Sequence, residues 1–90
     1  MIINLSDKAK AEILEHNKNG IPLKVKITGY SWCGANFGVV SEKQEKNDKV
    51  YEIDGANIVV DSDLIDSMKS MTIKYSTNWL YKGFEVIPVF

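Results

Sequence analysis

Ala9, Ile13 and Leu14 recur at the spacing that places them on one helical face, just after a start signal at Ser6-Asp7. The Ser6 hydroxyl is placed to accept from the free amides of the first turn, and Asp7 complements the positive helix end. Asn17-Lys18-Asn19-Gly20 supplies the stop, so a short amphipathic helix is expected. From Ile21 the period changes to two. Ile21, Leu23, Val25 and Ile27 alternate against Pro22, Lys24, Lys26 and Thr28, the pattern of a half-buried strand with Pro22 near its start.

Gly29, Gly34 and Gly38 interrupt that alternation around Cys33 and permit backbone angles other residues disfavour, so a turn or bulge between strands is expected. Phe37, Val39 and Val40 begin a second strand that runs into the charged run Ser41 to Lys49. Val50-Tyr51-Glu52-Ile53 and Ala56-Asn57-Ile58-Val59-Val60 flank Asp54-Gly55, a strong signal for a tight hairpin. Asp61 or Ser62 caps a second short helix, with Leu64, Ile65 and Met68 on one face and an end near Ser70. Met71 to Tyr75 and Gly83 to Val89 then read as strands, and Pro88 puts the last one at a sheet edge. The whole is one α+β unit, residues 1–90, in which sheet outweighs helix.

Hydrophobic residues at 44% and charged residues at 26% are ordinary for a globular protein, and no apolar run approaches the roughly 20 residues that span a bilayer. Eleven basic and twelve acidic residues nearly cancel, which gives no electrostatic reason to bind nucleic acid. The mixed charges of Ser41 to Lys49 read as a solvated loop or strand end. The opening residues lack the basic start, apolar segment and cleavage site of a secretory signal, so a cytoplasmic location is expected, without membrane association. One cysteine forms no internal disulfide, in keeping with a reducing compartment.

The run Ile58-Val59-Val60-Asp61, then Leu64-Ile65, Met68, Ile73-Lys74-Tyr75, Leu80 and Gly83-Phe84, resembles the second half of the HesB/IscA family, the A-type proteins of iron–sulfur cluster assembly. The likeness extends forward through the Asp54-Gly55 hairpin, the Cys33 loop, the strand before it and the Ser6-capped helix. It implies a HesB-like fold: a mostly antiparallel, twisted, sandwich-like sheet arrangement with two short helices. In that family one cysteine follows the first long strand in a Gly/Ser-rich loop and two more lie in a tail after the final strand. Cys33 matches the first. The chain ends at Val89-Phe90, so the tail cysteines are expected to be absent, and Gly34 follows Cys33 directly where the family usually has one residue between. The resemblance implies contact with iron or an iron–sulfur cluster through Cys33, shared between subunits of a homodimer or with an iron–sulfur assembly partner.

Thiolates suit iron because soft anionic sulfur matches the metal, and a cluster normally takes about four such ligands. Three readings of Cys33 stay open: an inert buried side chain, a metal or cluster contact, and a reactive thiol that acts as a switch. His16 is expected to be solvated or to cap its helix, and Asp61, Asp63 and Asp66 to serve capping and the helix dipole rather than a cation. Trp79 and Tyr81 lie in a stretch, Ser76 to Lys82, that reads as a surface connector; exposed there, they would mark a partner surface on a scaffold without metal. With one histidine, one cysteine and no phosphate-cradling loop, the chain is expected not to be an enzyme.

Overall fold

A computed structural model describes the backbone of residues 1–90 and every side chain except that of Tyr81. Strand β1 (Ile2–Leu5) leads into helix α1 (Asp7–Lys18), followed by β2 (Lys24–Ser31), β3 (Gly34–Val40), β4 (Lys49–Ile53) and β5 (Ala56–Val60). Helix α2 (Ser62–Ile65), β6 (Ser70–Asn78) and β7 (Tyr81–Val89) complete the chain. The strands form two sheets, ordered β1-β6-β7 and β3-β2-β5-β4. β2–β3, β4–β5 and β6–β7 pair antiparallel as hairpins, while β1–β6 and β2–β5 pair parallel. The α+β class and the sandwich-like, largely antiparallel arrangement expected from the sequence are what the fold shows.

Ser6 caps α1 through a bond that its hydroxyl accepts from the Ala9 amide at 3.2 Å. Ala9 and Ile13 point into the core against β5 and β6, whereas Leu14, expected on the same face, lies at its margin and is partly exposed. Val25, Ala56, Ile58, Val60, Met71 and Ile73 fill the space between the sheets and the helix. Each buried Val, Ile or Met side chain among them contributes about 1.5–3 kcal/mol. Asp54 (φ 51°) and Gly55 (φ 87°) make the expected two-residue turn, both in the left-handed region that Asp tolerates and Gly prefers.

One strand was not anticipated, and several expectations need correction, beginning with β2, which starts at Lys24 rather than Ile21. Ile2–Leu5 is a strand, although nothing in so short a run alternates; it adds in parallel to the distant β6. Helix α2 stops at Ile65 rather than near Ser70, and Met68 is buried from the turn that follows. The Ser76–Lys82 stretch is a tight hairpin, because β6 runs on to Asn78 and pairs with Tyr81 across the two-residue turn Trp79-Leu80. The run from Ser41 to Asp48 is not simply a solvated loop.

That last correction follows from topology. β3 and β4 lie at opposite edges of their sheet, so residues 41–48 must cross β2 and β5 on the face away from the core. Alternation places Lys24 on that face, and the crossing segment covers it: Lys24 is only 2% exposed. Its ammonium donates to Asp48 Oδ2 at 2.7 Å, with Glu45 and Asp61 carboxylates at 4.0 Å. The Asp48 carboxylate also accepts from the Glu45 and Ser62 amides at 2.9 and 3.0 Å. Lys26 makes a second tie to Glu42 at 3.1 Å. Val59, beside Lys24 in the cross-strand register, is buried under the same segment, outside the main core.

Asn17, at the end of α1, completes the other edge of this ladder. Its side chain accepts from the Asn57 amide at 2.8 Å and donates to the Asn57 carbonyl at 3.2 Å, just below the bonds from Val59 and Asp61 amides to Leu23 and Val25 carbonyls. A side-chain amide thus stands where a strand residue would.

The Lys24 bond holds Asp48 below its ordinary pKa of 3.8, and the Asp48 bond holds Lys24 above its ordinary 10.5. The depressed carboxylate contributes stability that is present above its unfolded pKa and is lost as pH falls through the folded one. The raised ammonium contributes stability that is present below its unfolded pKa and is lost as pH rises through the folded one. The urea midpoint should therefore be flat from about pH 5 to 9 and fall on both sides. In Asp48→Asn it should be lower across the plateau, with a shallower acid limb. Asn17→Ala should cost about 1 kcal/mol in urea unfolding and speed hydrogen exchange at the Asn57 amide.

Candidate functional site

The β2–β3 hairpin is built to carry its tip beyond the core. Register slips by one residue between Ile27 and Gly29, so Thr28 is an extra residue in β2, a bulge that bends the strand. Gly38, paired with Lys26 beside the bulge, leaves room for the Thr28 side chain, since a Cβ there would come within 2.8 Å of Thr28 Cγ2. Up to the bulge, Val25 and Ile27 face the core; past it, Tyr30, Ser31, Trp32, Cys33 and Gly34 are all exposed. Ser31 pairs with Gly34, leaving Trp32-Cys33 as the two-residue turn, closed by Gly34 at φ 118°.

Cys33 therefore stands at the outermost point of the hairpin with an exposed thiol, which removes the reading of a buried, inert side chain. Its polar neighbour is the Ser31 hydroxyl, 3.7 Å from Sγ and 3.4 Å from the Gly34 carbonyl. Trp32, 98% exposed, covers neither the thiol nor the core. Phe37, the other residue that might have shielded the cysteine, lies down the strand against Phe90, their ring centroids 6.0 Å apart. This contact joins β3 to the residue after β7 and steadies the middle of the hairpin rather than its tip.

The remaining candidates sit elsewhere and act locally. His16 Nδ1 is 2.8 Å from the Glu12 carbonyl, which can only accept, so this nitrogen carries a proton; the ring stands edge-on to Phe84 at 6.4 Å. It bonds back within α1, and Asn19 rather than His16 caps the helix. Asp61 caps α2 by accepting from the Asp63 amide at 2.9 Å and also faces Lys24. Asp61 and Asp63 share a small depression of about 230 Å³ with Lys26, whose charge opposes a cation there. Asp66 ends the helix. Among the described residues, no three of these histidine, cysteine and carboxylate groups come together as a metal site. Cys33 thus offers one soft ligand, facing outward.

At the tip of the β6–β7 hairpin Trp79 is 90% exposed and Leu80 is exposed beside it; the side chain of Tyr81, expected with them, lies outside the described residues. Asn78 Oδ1 accepts from the Leu80 amide at 3.0 Å and shapes this turn. Sequence reasoning missed the buried Lys24–Asp48 pair. Its one signal was a lysine inside an otherwise strong strand, followed by a run of mixed charge between two strands.

No protein-family profile matches the sequence. A Bacillus subtilis (strain 168) protein described as uncharacterized protein SufA is 27% identical over 73 residues, 80% of this chain and 61% of the relative, so the chain spans less than two thirds of that protein. Among solved structures, Escherichia coli SufA, described as involved in the biosynthesis of iron–sulfur clusters, superposes with a TM-score of 0.75 at 20% identity. That superposition covers 96% of this chain and 79% of SufA. An IscA structure containing a [2Fe-2S] cluster gives 0.70 at 10% identity over 97% of this chain and 82% of that one. A protein from Aquifex aeolicus solved by NMR gives 0.66 at 20% identity over 97% and 91%. At these identities the superpositions speak for the fold, and the fold agrees with the sequence resemblance. The chain has a HesB/IscA-like fold, the one its sequence pattern resembles.

Proposed function

We propose that this protein takes part in iron–sulfur cluster assembly, contacting iron or a cluster through Cys33 as cargo rather than catalysing a reaction. The observation that carries the proposal is the position of the thiol. It sits at the exposed turn of the β2–β3 hairpin, on a fold shared with proteins whose names tie them to iron–sulfur clusters. A thiolate binds iron after losing its proton, and one thiolate leaves about three cluster positions to be filled from outside these residues. A second copy of the chain in a homodimer, glutathione or an assembly partner would fill them, and the outward tip lets two copies approach without moving the core. A cytoplasmic location goes with this reading.

A second reading is favoured by the other hairpin. Trp79 and Leu80 project from the β6–β7 tip without packing on the core, the kind of residue that anchors protein contacts. On this reading the scaffold is an interaction module without metal, and Cys33→Ser leaves partner capture intact.

Anaerobic reconstitution with iron and sulfide, with and without glutathione, separates the two. The first reading expects visible absorbance that is absent in Cys33→Ser; wild-type protein that stays colourless in both conditions would rule out cluster binding without an assembly partner. The same variant should fold with a stability within about 0.5 kcal/mol of wild type, because the side chain packs on nothing. Native Cys33 should also react with a thiol reagent as fast as it does in urea, and strong protection in the folded state would contradict its placement.

A further inference from the structure

Residues 41–48 cover only part of the outer face of the four-stranded sheet, and the uncovered part is an open groove of about 580 Å³. Lys24, Val59 and Val50 form one cross-strand row on this face. Along it, exposure climbs from 2% at Lys24 to 7% at Val59 and 44% at Val50. Val50 and Val59, with Ile21 and Pro22 from the turn before β2, make an apolar floor. Asn57 stands at one side, and Lys43, from the crossing segment, is the single charged side chain in the lining.

Lys10, Lys24 and Lys26 each face a carboxylate. Among the described residues, Lys43 is an exposed lysine without an ion pair, as are Lys46 and Lys49 on the same run, and it is the one of the three that lines the groove. Lys18, one residue from the lining Asn17, is likewise exposed and without an ion pair. The groove therefore pairs apolar surface with uncompensated positive charge.

We infer that this groove docks an extended peptide segment of a partner protein in which acidic and aliphatic residues alternate. A groove open along its length encloses too little of a small molecule, which normally buries most of its surface in its pocket. An extended chain instead places alternate side chains on the Val50–Val59 floor and its carboxylates toward Lys43. A second copy of this chain is a poor occupant through its exposed tips. Residues 27–41 carry no charge, and the Ser76–Lys82 tip carries a lysine and no carboxylate. The groove adjoins the start of β2 and Cys33 follows its end, and eight strand residues span about 26 Å. A docked partner would leave the thiol free.

The test uses the fluorescein-labelled peptide Glu-Leu-Glu-Ile-Glu-Leu-Glu-Ile and the same peptide with lysine in place of glutamate, read by anisotropy and by amide shifts of the labelled protein. Saturable binding of the acidic peptide is expected, with shifts at Ile21, Val50 and Asn57 and none at Trp32 or Cys33. Val50→Asp and Lys43→Glu, both at exposed positions, should each weaken it by about tenfold or more. Cys33→Ser should bind like wild type, so failure of the cluster proposal leaves this one standing. Equal binding of the lysine peptide, or affinity untouched by both substitutions, would overturn it. So would groove shifts that track protein concentration without peptide, which would give the groove to a second copy.

Discussion

The connection between β3 and β4 has to cross the outer face of its own sheet, because the two strands it joins are separated by β2 and β5. A face crossed by chain is a face whose polar groups lose water, and β2 puts a lysine there. Removing an ammonium from water is costly unless its charge is matched at close range. Asp48 matches it at 2.7 Å, and the same carboxylate gathers two backbone amides of its own segment and of α2. The positive φ of Asn47, 78°, turns the chain so that Asp48 arrives facing the sheet. One ion pair thus fastens the crossing segment, shields Val59 and ties α2 to β2.

The rest of the molecule is arranged around that fastening. The ends of β2 and β3 farthest from the tip are anchored, through Lys24 and Lys26 on one strand and through the segment leaving Val40 on the other. Phe37 against Phe90 holds the middle of the hairpin to the second sheet. Beyond the Thr28 bulge residues 30–34 are exposed, and Cys33 is carried into solvent on a short, two-stranded arm. An anchored root and a bare tip suit a thiol that meets a partner's ligands, since the core has no need to open.

Much of this architecture was legible from local signals. The Ser6 cap, the Asp54-Gly55 turn and the edge position of Pro88 are consequences of one or a few neighbouring residues and appear where the pattern puts them, whereas the period-two run from Ile21 becomes a strand only at Lys24. The larger misses are non-local. β1 is four residues long and acquires its identity from β6, some seventy residues away. Lys24 reads as a solvent-facing strand residue unless the path of residues 41–48 is known. The same run of mixed charge reads as solvated, because mixed charge usually is. At Cys33 the sequence located the loop but left burial open. Glycines and aromatics around a cysteine fit a covered turn as well as a bare one, and only the register of the hairpin distinguishes them.

On a HesB/IscA-like fold that carries a single outward thiol, iron should meet the protein at Cys33. The most direct measurement is iron and sulfide content, together with solution mass, of the protein purified without oxygen, beside Cys33→Ser prepared in the same way. The account predicts iron and sulfide in wild type, held in a dimer or a complex larger than the monomer, and neither in the variant. A metal-free monomer, or iron retained equally by Cys33→Ser, would contradict it.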